Sequence, residues 1–267
     1  MPPTLAFCHS PFRKELSEIQ AYREARGYAG VEWSLDGWRL MRARARRRQM
    51  LDRLRAASPL CSLHAPYTDL ELGHRDAEHA AAALHILRDY LDAAAELGAH
   101  HMNVHVGTFA PEPGELSHET ILRNVTTLLE HGARCGVPIT IENLRGGPTS
   151  DPDSFAAILR ATGAPVTFDL GHAAGCSWVQ GGAGTVTDFL RSVPTPILAS
   201  HIYLVERDDT HFAPKSAADM APALNALTAA GCDFWVLELH SQRALEETRS
   251  VVDQYLDGLA GQGRRRG

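Results

Sequence analysis

Six apolar runs in this chain each end in, or carry, a histidine or a carboxylate. They are LCSLH with His64, MNVHV with His105, ITIE with Glu142, VTFD with Asp169, ILASHIY with His201 and FWVLEL with Glu238. His172 follows Asp169 by three positions, and Asp209 and His211 form a D-x-H pair. All of these side chains are nitrogen or oxygen donors. A carboxylate closing an apolar run is costly to bury without a cation, and several in one place repel unless a metal or protons neutralise them. Such a set suits Zn2+, Mn2+, Mg2+, Fe2+ or Co2+, with Zn2+ or Mn2+ favoured where imidazole is abundant. Singly, each residue has a plainer reading. A lone histidine at a strand end is most often hydrogen-bonded and inert, and an Asp after an apolar run is often a helix N-cap. The joint pattern points to a divalent-metal site.

Positioning these residues takes a regular scaffold. Strand-like runs fall at 4–8, 29–34, 60–64, 102–106, 138–142, 166–170, 197–203 and 234–239. Helical patterns lie near 13–26, 39–57, 77–98, 118–135, 152–162, 184–192, 217–230 and 243–259. Strands alternating with helices imply a parallel sheet, and eight such units in 267 residues imply a closed barrel. The expected fold class is therefore α/β, a single (β/α)8 TIM barrel over 1–260, with 261–267 a basic disordered tail. Barrel enzymes place their chemistry where strands end and loops begin, which is where these donors stand. No GxGxxG or GxxxxGK[ST] follows the first strand, so a nucleotide-binding sheet lacks its phosphate loop.

Composition excludes other classes. The chain is 44% hydrophobic, too apolar for a disordered tail, and carries no apolar run long enough to span a membrane. Its start, MPPTLAFCHSPFRK, does not read as a signal peptide, so a soluble cytoplasmic protein is expected. The five cysteines are scattered without a CxxC pair and read as reduced, buried thiols; Cys8 and Cys176, each near a histidine, are the candidates for reactivity. Net charge is −6, yet residues 39–55 hold eight arginines and one aspartate. That segment reads as the solvated face of a helix, with no nucleic-acid partner expected. Trp33, Trp38 and Trp178 could line an apolar sugar face or pack in the core. His74, His79, His85, His118 and His131 read as non-functional.

The segments SLHAPY (62–67), HVG (105–107), IENL (141–144), FDLGHA (168–173), ASHIYL (199–204), DDTH (208–211) and VLELH (236–240) together resemble the xylose isomerase-like TIM-barrel superfamily. That superfamily includes sugar-phosphate isomerases and epimerases and endonuclease IV (AP endonuclease family 2). A weaker match, GYAGVEWSLDGW (27–38), precedes them. The resemblance implies a core metal held by Glu142, Asp169, His201 and Glu238. It implies proton transfer by Glu142 and Glu238, with His172 on a substrate oxygen and Arg207 as a substrate-binding arginine. The endonuclease IV branch implies more: His64 and His105 with a bridging Glu142 for one metal, and His172, Asp209 and His211 for a third. Tyr67 stands at that branch's H-x-x-Y spacing.

Two departures stand out. Leu204 occupies a place where the family often carries an acidic residue, and FAPKSAAD (212–219) replaces a Gly-x-Gly stretch. Lys215 in that loop is a candidate for binding phosphate or carboxylate, or is simply solvated. The leading expectation is a metal-dependent isomerase or epimerase of a small sugar, polyol or sugar phosphate, with one core Zn2+ or Mn2+. The alternative is a two- or three-metal hydrolase of a small phosphodiester or phosphate ester. Dehydratase or lyase chemistry and a non-catalytic barrel rank lower. The expected partner is a small molecule, with nucleic acid disfavoured and no membrane; barrels of the family it resembles commonly pair, which leaves a homodimer open.

Overall fold

The structure, a computed structural model, describes residues 2–12, 15–34, 44–107 and 113–264. Eight parallel strands close into a barrel: β1 (Thr4–Cys8), β2 (Gly30–Ser34), β3 (Leu60–His64), β4 (Met102–Val104), β5 (Ile139–Glu142), β6 (Val166–Asp169), β7 (Ile197–Ile202) and β10 (Phe234–Leu237). Each strand pairs with its neighbours in chain order, and β1 closes on β10 with Ala6 opposite Val236. Helices follow the strands: α1 (Leu16–Ala25), α2 (Arg44–Ala57), α3 (Ala77–Leu97), α4 (His118–Cys135), α5 (Pro152–Thr162), α8 (Val186–Ser192), α9 (Ala217–Ala229) and α10 (Gln242–Arg264). Two short helices, α6 (Leu170–Gly175) and α7 (Ser177–Gln180), follow β6.

The helices form where local chemistry starts and stops them. Asp76 caps α3 by accepting from the Glu78 and His79 amides, and Gly98 ends it in the left-handed conformation. Ala80, Ala83, Leu87, Leu91, Ala94 and Leu97 recur at helical spacing and turn the inner face of α3 to the barrel. Core residues such as Trp33, Trp235, Phe7, Phe155, Phe168 and Phe189 are fully buried between strands and helices. Trp33 is thus core, Trp178 packs against Phe189, and Trp38 lies outside the described residues.

The arginine-rich helix behaves as a solvated element with a packed inner face. Leu51, Leu54 and Ala57 of α2 are buried. Arg47 pairs with Glu96, and Arg55 donates to the Glu96 and Leu97 carbonyls at the end of α3, where a cation satisfies unpaired carbonyls. Residues 39–43 of the expected helix lie outside the described residues. At the other end of the chain, the backbone of α10 is helical through Arg264, into the segment expected as a tail, and 265–267 lie outside the described residues. Among the described residues no helix is long and apolar enough to cross a membrane.

The sequence pattern did not predict the antiparallel hairpin β8 (Val205–Arg207) and β9 (Thr210–Phe212), which rises from the end of β7. Asp208 and Asp209 form its two-residue turn with φ of 48° and 55°, the pattern of a type I′ turn. The hairpin stands over the mouth of the barrel and shapes one wall of the site.

Candidate metal centre

The strand ends deliver their donors to one cavity of about 1320 Å³ at the C-terminal mouth. His64, His105, Glu142, His172, Glu206, His211 and Glu238 line it. Three groups of metal-competent side chains converge there, each with one donor atom per residue within 4.8 Å of the others: Glu142, Asp169, His201 and Glu238; His64, His105 and Glu142; and His172, Glu206 and His211. Glu142 belongs to two of them.

In the first group, His201 Nδ1 faces three carboxylates at once, 3.1 Å from Glu142 Oε1, 3.3 Å from Asp169 Oδ2 and 3.0 Å from Glu238 Oε2. A ring nitrogen carries one proton at most, so it cannot satisfy three acceptors. Asp169 Oδ2 is buried without a hydrogen-bond partner. Three carboxylates and one imidazole converging around a partnerless oxygen fit a divalent cation. Asp169 also fulfils the plainer reading of its position: its Oδ1 accepts from the His172 amide at 2.6 Å and caps α6. One oxygen caps the helix while the other faces the centre. Asn143 pins the strand end by exchanging two hydrogen bonds with the Asp169 backbone.

Three of the other rings, His64, His172 and His211, are held by backbone carbonyls, which orient them for metal binding. His64 Nδ1 lies 2.9 Å from the Ala65 carbonyl, leaving Nε2 3.5 Å from Glu142 Oε2. His105 Nε2 lies 2.9 Å from the same oxygen, which Asn103 also contacts. His172 Nδ1 lies 3.0 Å from the Asn143 carbonyl, with Nε2 3.1 Å from Glu206. His211 Nδ1 lies 2.8 Å from the Glu238 carbonyl, and its ring stacks on Tyr203 at 4.0 Å. Tyr203 in turn occupies the space a side chain at Gly171 would need, since a Cβ there would lie 1.9 Å from the ring. The glycine of the DLGH segment is thus explained by packing.

Protons on the histidines balance the carboxylate charge of the centre when no cation does. Burial would push the His201 and His172 rings down. Glu238, Glu142 and Glu32 outweigh it at His201, and Asp169, Glu142 and Glu206 at His172, holding both well above the ordinary imidazole value. His64 is likewise raised to about 9 against burial, chiefly by Glu142. Burial would raise Glu142 and Glu238, but facing histidines, His201 foremost, hold both below the usual carboxylate range. At Asp169 burial wins and the carboxyl is raised. Burial also keeps His105 low. Imidazolium protons thus neutralise the carboxylates where a cation would otherwise do so.

Placement separates the expected site residues. Glu142, Asp169, His201, Glu238, His64, His105, His172 and His211 are brought together. Tyr67 lines the cavity, stacked on His105 at 4.7 Å. Asp209 borders the cavity but joins none of the three groups: it sits at the hairpin turn, 92% exposed, and pairs with Arg145 at 3.2 Å. Glu206, five residues after His201, stands in the third group instead. Arg207 and Lys215 are exposed and do not line the cavity, which instead receives Arg145, His118 and His240. His118, expected to be inert, is therefore at the mouth. Cys8 lines the cavity too, but burial together with Glu238 and Glu32 pushes its thiol up to about 12, which removes it as a nucleophile. Cys176 is fully buried.

Glu32 escaped the sequence reading. It is fully buried on β2, 2.9 Å from His201 Nε2, and accepts from the Ser62 hydroxyl at 2.9 Å. Its signal was present: GVEW places a carboxylate inside an apolar run, as ITIE does.

Known proteins share this architecture. An uncharacterized protein of Methanocaldococcus jannaschii is 26% identical over 170 residues, covering 64% of this chain and 68% of the relative. A D-tagatose 3-epimerase-like protein superposes with a TM-score of 0.78 at 19% identity, covering 97% of this chain and 99% of its own. The 3-keto-D-glucoside 4-epimerase of E. coli, in its apo form, superposes with a TM-score of 0.69 at 14% identity, covering 96% and 99%. At such identities the two solved structures share the fold. The family model of the xylose isomerase-like TIM barrel matches residues 19–258, nearly the whole barrel, and the chain belongs to that family.

Proposed function

We propose that this protein is a divalent-metal-dependent isomerase or epimerase of a small sugar, polyol or sugar phosphate. The observation that carries this reading is the convergence of the Glu142, Asp169 and Glu238 carboxylates on the single ring nitrogen His201 Nδ1, which cannot satisfy all three. These four residues would hold Zn2+ or Mn2+, which would supply polarisation of a substrate carbonyl. Glu142 and Glu238 approach the centre from β5 and from the end of β10, with β6 and β7 between them. One takes the proton from the carbon beside the carbonyl, and the other returns a proton to the neighbouring carbon or the opposite face. His172 and Tyr67 bind substrate oxygens at the cavity wall. The 3-keto-D-glucoside 4-epimerase acts, by its name, on a sugar derivative, and the other solved structure is named as like a sugar epimerase, which accords with this class.

The test is solvent exchange. Metal-loaded protein incubated with a panel of ketoses and ketose phosphates in D2O should place deuterium beside the carbonyl of the turned-over sugar, and Glu238→Gln should stop it. A metal-replete protein that exchanges no proton in any of them overturns the reading.

A specific observation favours a second reading, a multi-metal hydrolase of a small phosphodiester or phosphate ester. Glu142 Oε2 is already engaged by Asn103, His105 and His64, the arrangement of a bridging carboxylate, and His172, Glu206 and His211 make a further group. Elemental analysis of protein purified without chelator separates the two. About one metal per chain at the mouth supports the isomerase, and two or three there, lost in part with His64→Ala or His211→Ala, support the hydrolase.

A further inference from the structure

Away from the mouth, the outer surface of the barrel carries a second mixed set of donors. Asp92 on α3 meets His131 and Cys135 on α4, and one donor atom from each lies within 4.8 Å of the others. His131 Nε2 is 2.7 Å from Asp92 Oδ1, and Cys135 Sγ is 3.5 Å from that same oxygen. We propose that Asp92, His131 and Cys135 form a separate site for a thiophilic divalent cation such as Zn2+.

The helix geometry supports it. His131 and Cys135 are four residues apart, so they stand one above the other on one face of α4. Asp92 reaches them from α3, which packs on α4. Cys135 is the last residue of α4, followed by Gly136 in the left-handed conformation. The unpaired carbonyls of a helix C-terminus favour a cation there. Nitrogen, oxygen and sulfur ligands in one triad match the ligand chemistry of Zn2+, with water as the fourth ligand. The triad is open to that water, as the Asp92 and His131 side chains are 48% and 21% exposed. Arg134, the nearby cation, lies 3.5 Å from His131 Nδ1, the ring edge away from Asp92.

Without metal, burial and the Asp92 carboxylate hold the Cys135 thiol protonated. On binding, the S–H proton leaves to solvent as the sulfur–metal bond forms, and nothing is oxidised or reduced. Cys135 is also the one cysteine of the five that is not buried.

The triad contains a thiol and the three groups at the mouth do not, so the two are spectroscopically separable. Titrating the full chain with Co2+ should give a thiolate-to-cobalt charge-transfer band in the near ultraviolet whose final amplitude corresponds to one thiolate-bound cobalt per chain. Cys135→Ser should abolish it, and Asp92→Asn or His131→Ala should weaken Co2+ binding at this site by at least about tenfold. Occupancy at the mouth should not change in any of the three. No band in excess Co2+, or a band that survives Cys135→Ser, overturns the proposal. A second measurement needs no variant: Zn2+ should slow alkylation of Cys135 by iodoacetamide, followed by peptide mass, and an unchanged rate overturns it. Neither readout depends on turnover, so the result stands apart from the reading of the mouth.

Discussion

Glu32 Oε1 lies 2.9 Å from His201 Nε2, on the ring edge opposite the one that faces Glu142, Asp169 and Glu238. A carboxylate behind a ligating imidazole fixes which nitrogen keeps its proton, and so turns the other nitrogen's lone pair to the metal. Ser62 holds the second Glu32 oxygen at 2.9 Å, so the carboxylate is itself oriented. Glu32→Gln keeps the shape and removes the charge. Its expected effect is a loss of about 10- to 100-fold in core-metal affinity with the fold intact. Chelator competition checks the affinity and circular dichroism checks the fold. Unchanged affinity would leave Glu32 as packing only.

Glu32 and Glu142 both sit in apolar runs, GVEW and ITIE. Strand ends are legible because burying a charged group is expensive, so a donor closing an apolar run announces itself. That rule found Glu142, Asp169 and Glu238 and, applied equally to GVEW, would have found Glu32. The hairpin was harder to read. Val205, Glu206 and Arg207 pair with Phe212, His211 and Thr210, so Glu206 and His211 are opposite partners. The Asp208–Asp209 turn carries the carboxylate of the D-x-H pair out to the tip. Which carboxylate meets His211 is thus decided by strand register, a non-local property that spacing along the chain does not encode.

His64 separates the two readings of the mouth. Its ring approaches only the outer oxygen of Glu142, at 3.5 Å. His64→Ala should leave core-metal affinity within about threefold while removing any metal held with His105. Zinc titration before and after the substitution reads both. Loss of the core metal would contradict the arrangement of two groups sharing Glu142.

The same ring predicts a pH dependence. Its pKa is raised from 6.5 to about 9, so in the metal-free protein it is protonated below that value. A metal bound by His64, His105 and Glu142 must displace that proton. Affinity at this group should therefore rise with pH by about tenfold per unit and flatten above about pH 9. Calorimetry in two buffers of different ionisation enthalpy measures the released proton. Affinity that is flat between pH 6 and 8 contradicts the displacement.

Asp169 allows its two roles to be pulled apart. Oδ1 caps α6 at 2.6 Å from the His172 amide and Oδ2 faces the centre. Asp169→Asn retains a capping oxygen and loses the ligand charge, so it should lose metal with little change in metal-free stability. Asp169→Ala should lose metal and also about 1 kcal/mol of stability from the cap. Denaturant unfolding of the chelated proteins measures the difference. Equal stability of the two variants would mean that the cap contributes nothing.

The hairpin makes the last contrast. Glu206 lies 3.1 Å from His172 Nε2 and shares a donor group with His211, whereas Asp209 points to solvent and pairs with Arg145. An exposed ion pair of that kind contributes little, about 0–1 kcal/mol. In titrations with Zn2+ beyond the first equivalent, made in a Cys135→Ser background, Glu206→Gln should weaken binding about 10- to 100-fold, and Asp209→Ala should change it by less than about twofold. The opposite ranking would place the Asp209 carboxylate in the centre. It would require the two-residue turn to move, because Asp209 borders the cavity from the hairpin tip, 92% exposed and paired with Arg145, and is in none of the three donor groups.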